Sequence, residues 1–211
     1  EAVVSDADEL LNQALRIRAI AQTGLTYTRD PYDRERYEEL TQIAQHLLAA
    51  QLDTSKQKIS DIFLPERGYP TPKVDVRAGV FRDDRILLVQ ESSDGCWTLP
   101  GGWADEHQSP KQSVEQETLE ESGYEVAAIR LVAVRDRHLH PYLPRRLERI
   151  YKLFFLCDLT GGAAQTSLET SAVNWFELAS LPELSVGRTL AQDIALLNEY
   201  RRDPDLPCYF D

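Results

Sequence analysis

Residues 99–124 read LPGGWADEHQSPKQSVEQETLEESGY, and the fold turns on them. The stretch divides into a glycine turn, a polar loop and one short helix. Ser109 is a good N-cap, and Pro110 suits the first helical position, where an N–H would have no helical partner. Gln112 completes a capping box, and Gly123 supplies a left-handed stop. On a helix advancing about 100° per residue, Glu117, Glu120 and Glu121 stand at i, i+3 and i+4 on one side. Val114 and Thr118 take the side toward a core. Neighbouring carboxylates repel by about a few tenths of a kcal/mol per pair, with no structural return. One reading is a solvated acidic face. The other is a site for a hard divalent cation, which takes one or two carboxylates and leaves the remaining positions to water and substrate phosphates. The Leu-Pro-Gly-Gly-Trp entry favours the second, because it sets a tight turn beside the carboxylates.

This stretch resembles the Nudix box, G-x5-E-x7-R-E-U-x-E-E-x-G-U, with U a bulky apolar residue. Laid on Gly102, the pattern is met at Glu117, Glu120, Glu121, Gly123 and Tyr124. It is not met at Gln108 (Glu in the pattern), Gln116 (Arg) and Thr118 (apolar). The resemblance implies that Glu117, Glu120 and Glu121, with the carbonyl of Gly101, bind Mg²⁺ or Mn²⁺. It also implies an α/β fold, the Nudix α/β/α sandwich with a mixed sheet. The absent Glu and Arg normally pair and brace the loop on the helix. Since both have become Gln, an amide–amide contact between Gln108 and Gln116 is expected in place of the ion pair.

The chain has 211 residues, enough for one domain or two small ones, with 42% hydrophobic and 27% charged residues. A net charge of −12 argues against nonspecific nucleic-acid binding and against anionic membranes. An anionic substrate therefore needs a metal or locally placed arginines. No apolar run approaches the ~20 residues of a membrane span and no signal-peptide pattern opens the chain, so a cytoplasmic location is expected. Cys96, Cys157 and Cys208 are odd in number and lack metal-ligand spacing, as reduced thiols would be. The sequence contains no methionine, even at position 1, and a native start upstream is expected.

Residues 6–23 carry Leu10, Leu11, Ala14, Leu15, Ile17 and Ala21 at helical spacing, with Gly24 as the expected stop. A second helix is expected from Asp33 to about Ala50, striped by Tyr37, Leu40, Ile43, Ala44, Leu47 and Leu48. A third short helix is expected from Thr54 to Phe63, and Leu64 to Lys73 reads as a linker rich in proline. This front end resembles the small all-α domain that precedes a subset of Nudix hydrolases acting on nucleoside diphosphates linked to another moiety, such as CDP-choline or ADP-ribose. The resemblance implies a helical N-terminal domain over residues 1–68 and a Nudix domain over 69–211, the helical part serving a homodimer or closing over the neighbouring active site; helical packing without contact to ligand is the alternative.

Downstream, Val74–Phe81, Ile86–Gln90, Glu125–Arg135, Arg149–Leu159 and Val173–Glu177 read as strands, Gly161-Gly162 as a turn, and Arg188–Arg201 as an amphipathic helix. Arg77 reads either as a bidentate phosphate grip or as an outward strand arginine. The loop RDRHLHPYLPRR, residues 135–146, gathers basic and aromatic groups where specificity is often carried; a solubilising hairpin tip is the alternative. Trp97, Trp103 and Tyr142 have the rings to stack on a base, whereas Trp175 suits the core. His138 and His140 lack a third partner for a transition metal. Arg77, Trp103, His138 and Arg145 are the candidate substrate contacts. Glu169 stands in a polar loop where some Nudix relatives place a further glutamate, so Glu117, Glu120 and Glu169 are the candidate catalytic residues.

The expected reaction is divalent-metal-dependent hydrolysis of the pyrophosphate bond of a small nucleoside diphosphate derivative, giving a nucleoside monophosphate and a phosphorylated moiety. One glutamate serves as general base, with Glu120 and Glu169 both open. Two rivals stand beside it: a Nudix-fold nucleotide-sugar sensor without catalysis, supported by Gln108 and Gln116, and a nucleoside triphosphate pyrophosphohydrolase.

Overall fold

A computed structural model describes residues 6–63 and 68–211. Residues 64–67 of the expected linker lie outside the described residues. The chain separates into two compact units, Glu1–Thr71 and Pro72–Asp211.

The first unit is helical: α1 spans Asp6–Tyr27, α2 Pro31–Gln51 and α3 Lys56–Phe63. Gly24 does not end α1, contrary to the sequence reading. It is instead where α2 packs closely, since a Cβ there would lie 2.4 Å from the Tyr37 ring. Helix α2 begins at Pro31, two residues before the expected Asp33, because the Asp30 carboxylate accepts from the N–H groups of Tyr32 (2.8 Å) and Asp33 (3.0 Å). Leu11, Ala14, Ala21, Ala44, Leu48, Ile59 and Phe63 are buried, whereas Leu10, Ile20, Tyr27 and Ile43 remain exposed.

The second unit is built on a mixed sheet. Its strands are β1 (Lys73–Arg82), β2 (Arg85–Glu91), β3 (Trp97–Thr98), β4 (Tyr124–Asp136), β5 (Ile150–Gly162), β6 (Thr170–Glu177) and β7 (Tyr209–Phe210). The order is β3-β2-β1-β5-β4-β7, with β6 also pairing β2. β1 runs parallel to β5, and β4 is antiparallel to β5. Two α-helices belong to this unit, α4 (Pro110–Ser122) and α5 (Ala191–Arg202). Alternation along β1 sends Val76, Ala78 and Val80 into one core with Val114 of α4. Ile86, Leu88, Val132 and Phe154 form the other core with Ile194 and Leu197 of α5. Gly79 lets α5 approach, since a Cβ there would fall 2.8 Å from a Leu197 methyl.

Three local expectations are corrected. Gly161-Gly162 is not a turn: β5 continues through both, paired with Glu125 and Tyr124 of β4. Trp97 packs edge-on against Phe176 at 4.6 Å in the α5-side core. Tyr142 is 1% exposed with its hydroxyl donating to Asp193 at 2.7 Å. Neither ring is therefore open to a base. Short β7, a two-residue aromatic pair, is too short to show any periodicity.

Candidate active site

Helix α4 forms as its sequence dictates. Ser109 Oγ accepts from the Gln112 N–H (3.3 Å), and Gln112 Oε1 accepts from the Ser109 N–H (3.0 Å), closing the capping box. Gly123 stops the helix at φ 73°. Thr118 is tolerated on the buried side because its hydroxyl donates to the Val114 carbonyl at 2.6 Å, one turn back.

The glycine turn lies against β1, with the Val76 N–H donating to Gly102 O (2.8 Å) and the Ala78 N–H to Pro100 O (2.9 Å). The Gly101 carbonyl between them has no backbone partner among the described residues. Gly101 adopts φ 134°, and a Cβ there would sit 2.0 Å from the Val76 carbonyl oxygen, so only glycine fits. Its N–H donates to Glu121 Oε2 at 2.8 Å. A Cβ on Gly102 would come within 2.7 Å of Glu117 Oε2. Gly102 thus makes room for the Glu117 carboxylate, while Gly101, packed against β1, holds Glu121 through its N–H.

Both carboxylates are pushed toward their protonated forms. Burial raises Glu121 to about 8 against the pull of Arg77 and the Gly101 N–H, with Glu117 and Glu91 adding to the rise. Burial likewise raises Glu117 to about 7, opposed by Arg77 and reinforced by Glu120, Glu169 and Asp105. Glu120 is exposed and accepts a hydrogen bond from the Gln116 side-chain amide. That contact overturns the expected amide–amide brace: Gln116 serves Glu120, and no Gln108–Gln116 hydrogen bond exists among the described residues. The two glutamines only border the same surface groove. As placed, no three His, Cys, Asp or Glu side chains among the described residues are gathered as a metal-holding group.

Beside the glycine turn is a cavity of about 160 Å³ walled by Gly101, Gly102, Trp103, Glu121, Glu91 and Glu169 and by several cations. Trp103, 44% exposed, stands where a ring can stack, and Glu169 reaches the same cavity from the loop before β6. Arg77 also lines it, but neither sequence reading holds. The residue is 4% exposed, and its guanidinium is gripped by Asp75 through Nε and Nη2, both at 2.9 Å, while Nη1 donates to Leu99 O at 3.1 Å. With its fork on Asp75, Arg77 is a strut and not a phosphate grip. Lys152 shares that carboxylate at 2.7 Å and is 1% exposed. His138 is likewise corrected: Nδ1 receives Arg149 Nη1 (3.3 Å), which leaves Nε2 to donate to Arg146 O (2.9 Å), so the ring fastens its own loop. Arg145 is exposed and not part of the cavity wall; the next residue, Arg146, is. His140 contacts Asp211, away from the site.

The sequence reading missed Asp75, Glu91, Arg137, Arg146, Lys152 and Arg188 in this wall. The basic loop 135–146 was the one signal available, and it held both Arg137 and Arg146.

Residues 71–194 match the NUDIX domain, and residues 8–63 match a UDP-X-like N-terminal oligomerisation domain. The chain belongs to the Nudix family. This Nudix hydrolase is 43% identical over 201 residues to a Bacillus subtilis (strain 168) protein provisionally named an ADP-ribose pyrophosphatase, covering 95% of this chain and 96% of that one. It is similar to the crystal structure of an ADP-ribose pyrophosphatase from Streptococcus suis 89-1591 at 45% identity and TM-score 0.62, over 67% of this chain and all of that one. It is also similar to a UDP-X diphosphatase at 31% identity and TM-score 0.63, over 98% of this chain and all of that one. Among the described residues, no helix is long and apolar enough to cross a membrane.

Proposed function

We propose that this Nudix hydrolase cleaves the diphosphate linkage of a nucleoside diphosphate joined to a second moiety, of the ADP-ribose or CDP-choline type. The observation that carries the reading is the pair of α4 carboxylates held at two successive glycines: Glu121, which lines the cavity, on the Gly101 N–H, and Glu117 against Gly102. The names of the relatives that align along both units support it.

The donor set fits a divalent cation. Glu121 has one oxygen on the Gly101 N–H and a second without a hydrogen bond, and Glu117 has none among the described residues. Two carboxylates whose ionised form burial disfavours, next to a carbonyl with no backbone partner among the described residues, gain from a bound cation, which competes with protons for them. Glu117, Glu121 and the Gly101 carbonyl would hold Mg²⁺ or Mn²⁺, with Glu120 joining on release of the Gln116 amide. The bound ion would polarise phosphate oxygens and acidify the attacking water.

Water adds to one phosphorus, the bridging P–O bond breaks, and the second phosphate leaves carrying the other moiety. We assign the Glu169 carboxylate as the acceptor of the water's proton, since it borders the cavity and no side chain among the described residues donates to it. Trp103 stacks on the base or ribose at the rim, and the helical unit assembles two copies, consistent with its exposed Ile20 and Tyr27.

The test is a panel of nucleoside diphosphate derivatives assayed with Mg²⁺, with Mn²⁺ and with chelator. Release of a nucleoside monophosphate and a phosphorylated second moiety, abolished by chelator, is the expected result. Binding without turnover across the panel would favour a sensor instead.

A further inference from the structure

The cations around the active-site cavity fall into two groups. Arg77 and Lys152 share the single Asp75 carboxylate, and Arg188 Nε lies 2.9 Å from Glu91. Arg137 and Arg146 line the same cavity with no ion pair among the described residues. Arg137 is 2% exposed. Its Nη2 donates to Pro144 O at 2.7 Å and its guanidinium lies 5.6 Å from the centre of the Tyr142 ring, but Nε and Nη1 are buried without a hydrogen-bond partner among the described residues. Burial and the neighbouring charge of Arg146 both press against its protonated form. An unneutralised guanidinium under low-dielectric cover, with a like charge beside it, is destabilising unless something anionic joins it. In a chain of net charge −12, nothing in the general composition calls for two such arginines together.

Both arginines also line a second groove of about 410 Å³, bordered by Leu143, Leu184 and Val186. They therefore stand where the carboxylate cavity and a roomier, partly apolar groove share a wall. A ligand anchored between them has the glutamates on one side and space for a bulky group on the other.

We propose that Arg146 and Arg137 form an anion subsite for the phosphate of the diphosphate that is not attacked. This rests on the hydrolysis proposed above. Exposed Arg146 makes the direct contact, and Arg137 supplies charge from beneath. The subsite fixes which bridging bond lies at the glutamates and sends the leaving moiety toward the Leu143–Val186 groove.

The probe is inorganic pyrophosphate, titrated calorimetrically in EDTA, so that neither metal nor turnover enters the reading. Arg146→Gln is expected to weaken its binding about tenfold to a hundredfold, the range of a charge-assisted contact. In steady state the same variant is expected to raise KM for the hydrolysed derivative more than it lowers kcat. Arg137→Gln is expected to act in the same direction; should it fail to fold, by circular dichroism, Arg146→Gln decides alone. Equal pyrophosphate affinity in parent and Arg146→Gln, or none in the parent, would overturn the subsite. Absence of hydrolysis across the derivative panel with pyrophosphate binding intact would instead count against the reaction and leave the subsite standing.

Discussion

Glu117→Gln is expected to lower kcat by about two to four orders of magnitude while leaving the protein at least as stable as its parent. The two effects separate for a physical reason. Glu117 has no hydrogen bond among the described residues, and burial raises its carboxyl to about 7, so its ionised form opposes folding at neutral pH. Glutamine has the same shape, fits against Gly102 and carries no charge. The fold then loses a repulsion, while the site loses a negative ligand. Steady-state kinetics and a thermal melt on one preparation check both parts. A variant with parental kcat removes Glu117 from the chemistry, and a melt far below the parent's would mean that the residue serves packing.

The largest loss of stability is expected at Asp75. This single carboxylate holds Arg77 and Lys152, both buried, and those two cations keep its pKa at about 2 although burial alone would raise it. Asp75→Ala leaves two cations in the cavity wall. Lys152 has an escape, because burial has already brought it down to about 8 and it can give up its proton. Arg77 has none, since a guanidinium stays charged. Breaking a buried pair from one side costs about 3–5 kcal/mol, and a melt lower by about 10 °C or more follows. The double variant Asp75→Leu with Arg77→Met is expected to recover part of that loss, because it removes the stranded charge with its partner. A double variant as unstable as the sum of its singles would contradict the pairing. The pH dependence has the matching sign. With its pKa lowered in the folded state, Asp75 stabilises the protein above the unfolded value near 3.8, and that contribution disappears as pH falls through about 2.

What the sequence made legible was local. Caps at Ser109 and Gly123, the proline at 110 and the i, i+3, i+4 glutamates lie within one short stretch, and each acts on its neighbours. The glycine turn was readable for the same reason. What stayed hidden depends on register between distant segments. Asp75 meets Lys152 only because β1 and β5 pair in parallel with those two residues opposite each other, 77 positions apart. No periodicity in either strand announces that a charged pair faces inward. The same holds for Tyr142 and Asp193, which sit 51 residues apart and join a loop to the start of α5. In the loop at 135–146 composition pointed to the right segment but not to the right arginine. Of adjacent Arg145 and Arg146, the second lines the cavity. Gln116 taught a different lesson. Two simultaneous departures from a motif invited a compensating pair, yet the helix offered Gln116 a nearer acceptor four residues on, at Glu120.

We propose that carboxylates of α4, beside the glycine turn, hold a divalent cation. Protons and the cation compete for Glu117 and Glu121, whose carboxyls burial has brought to about 7 and about 8. Calorimetric titration of the protein with Mn²⁺ at pH 6.0, 7.0 and 8.5 tests this directly. Binding should tighten as pH rises, release protons at the lower two values, and weaken at least about tenfold in Glu121→Gln. Affinity that ignores both pH and the Glu121→Gln substitution, or no binding at pH 8.5, would contradict the account.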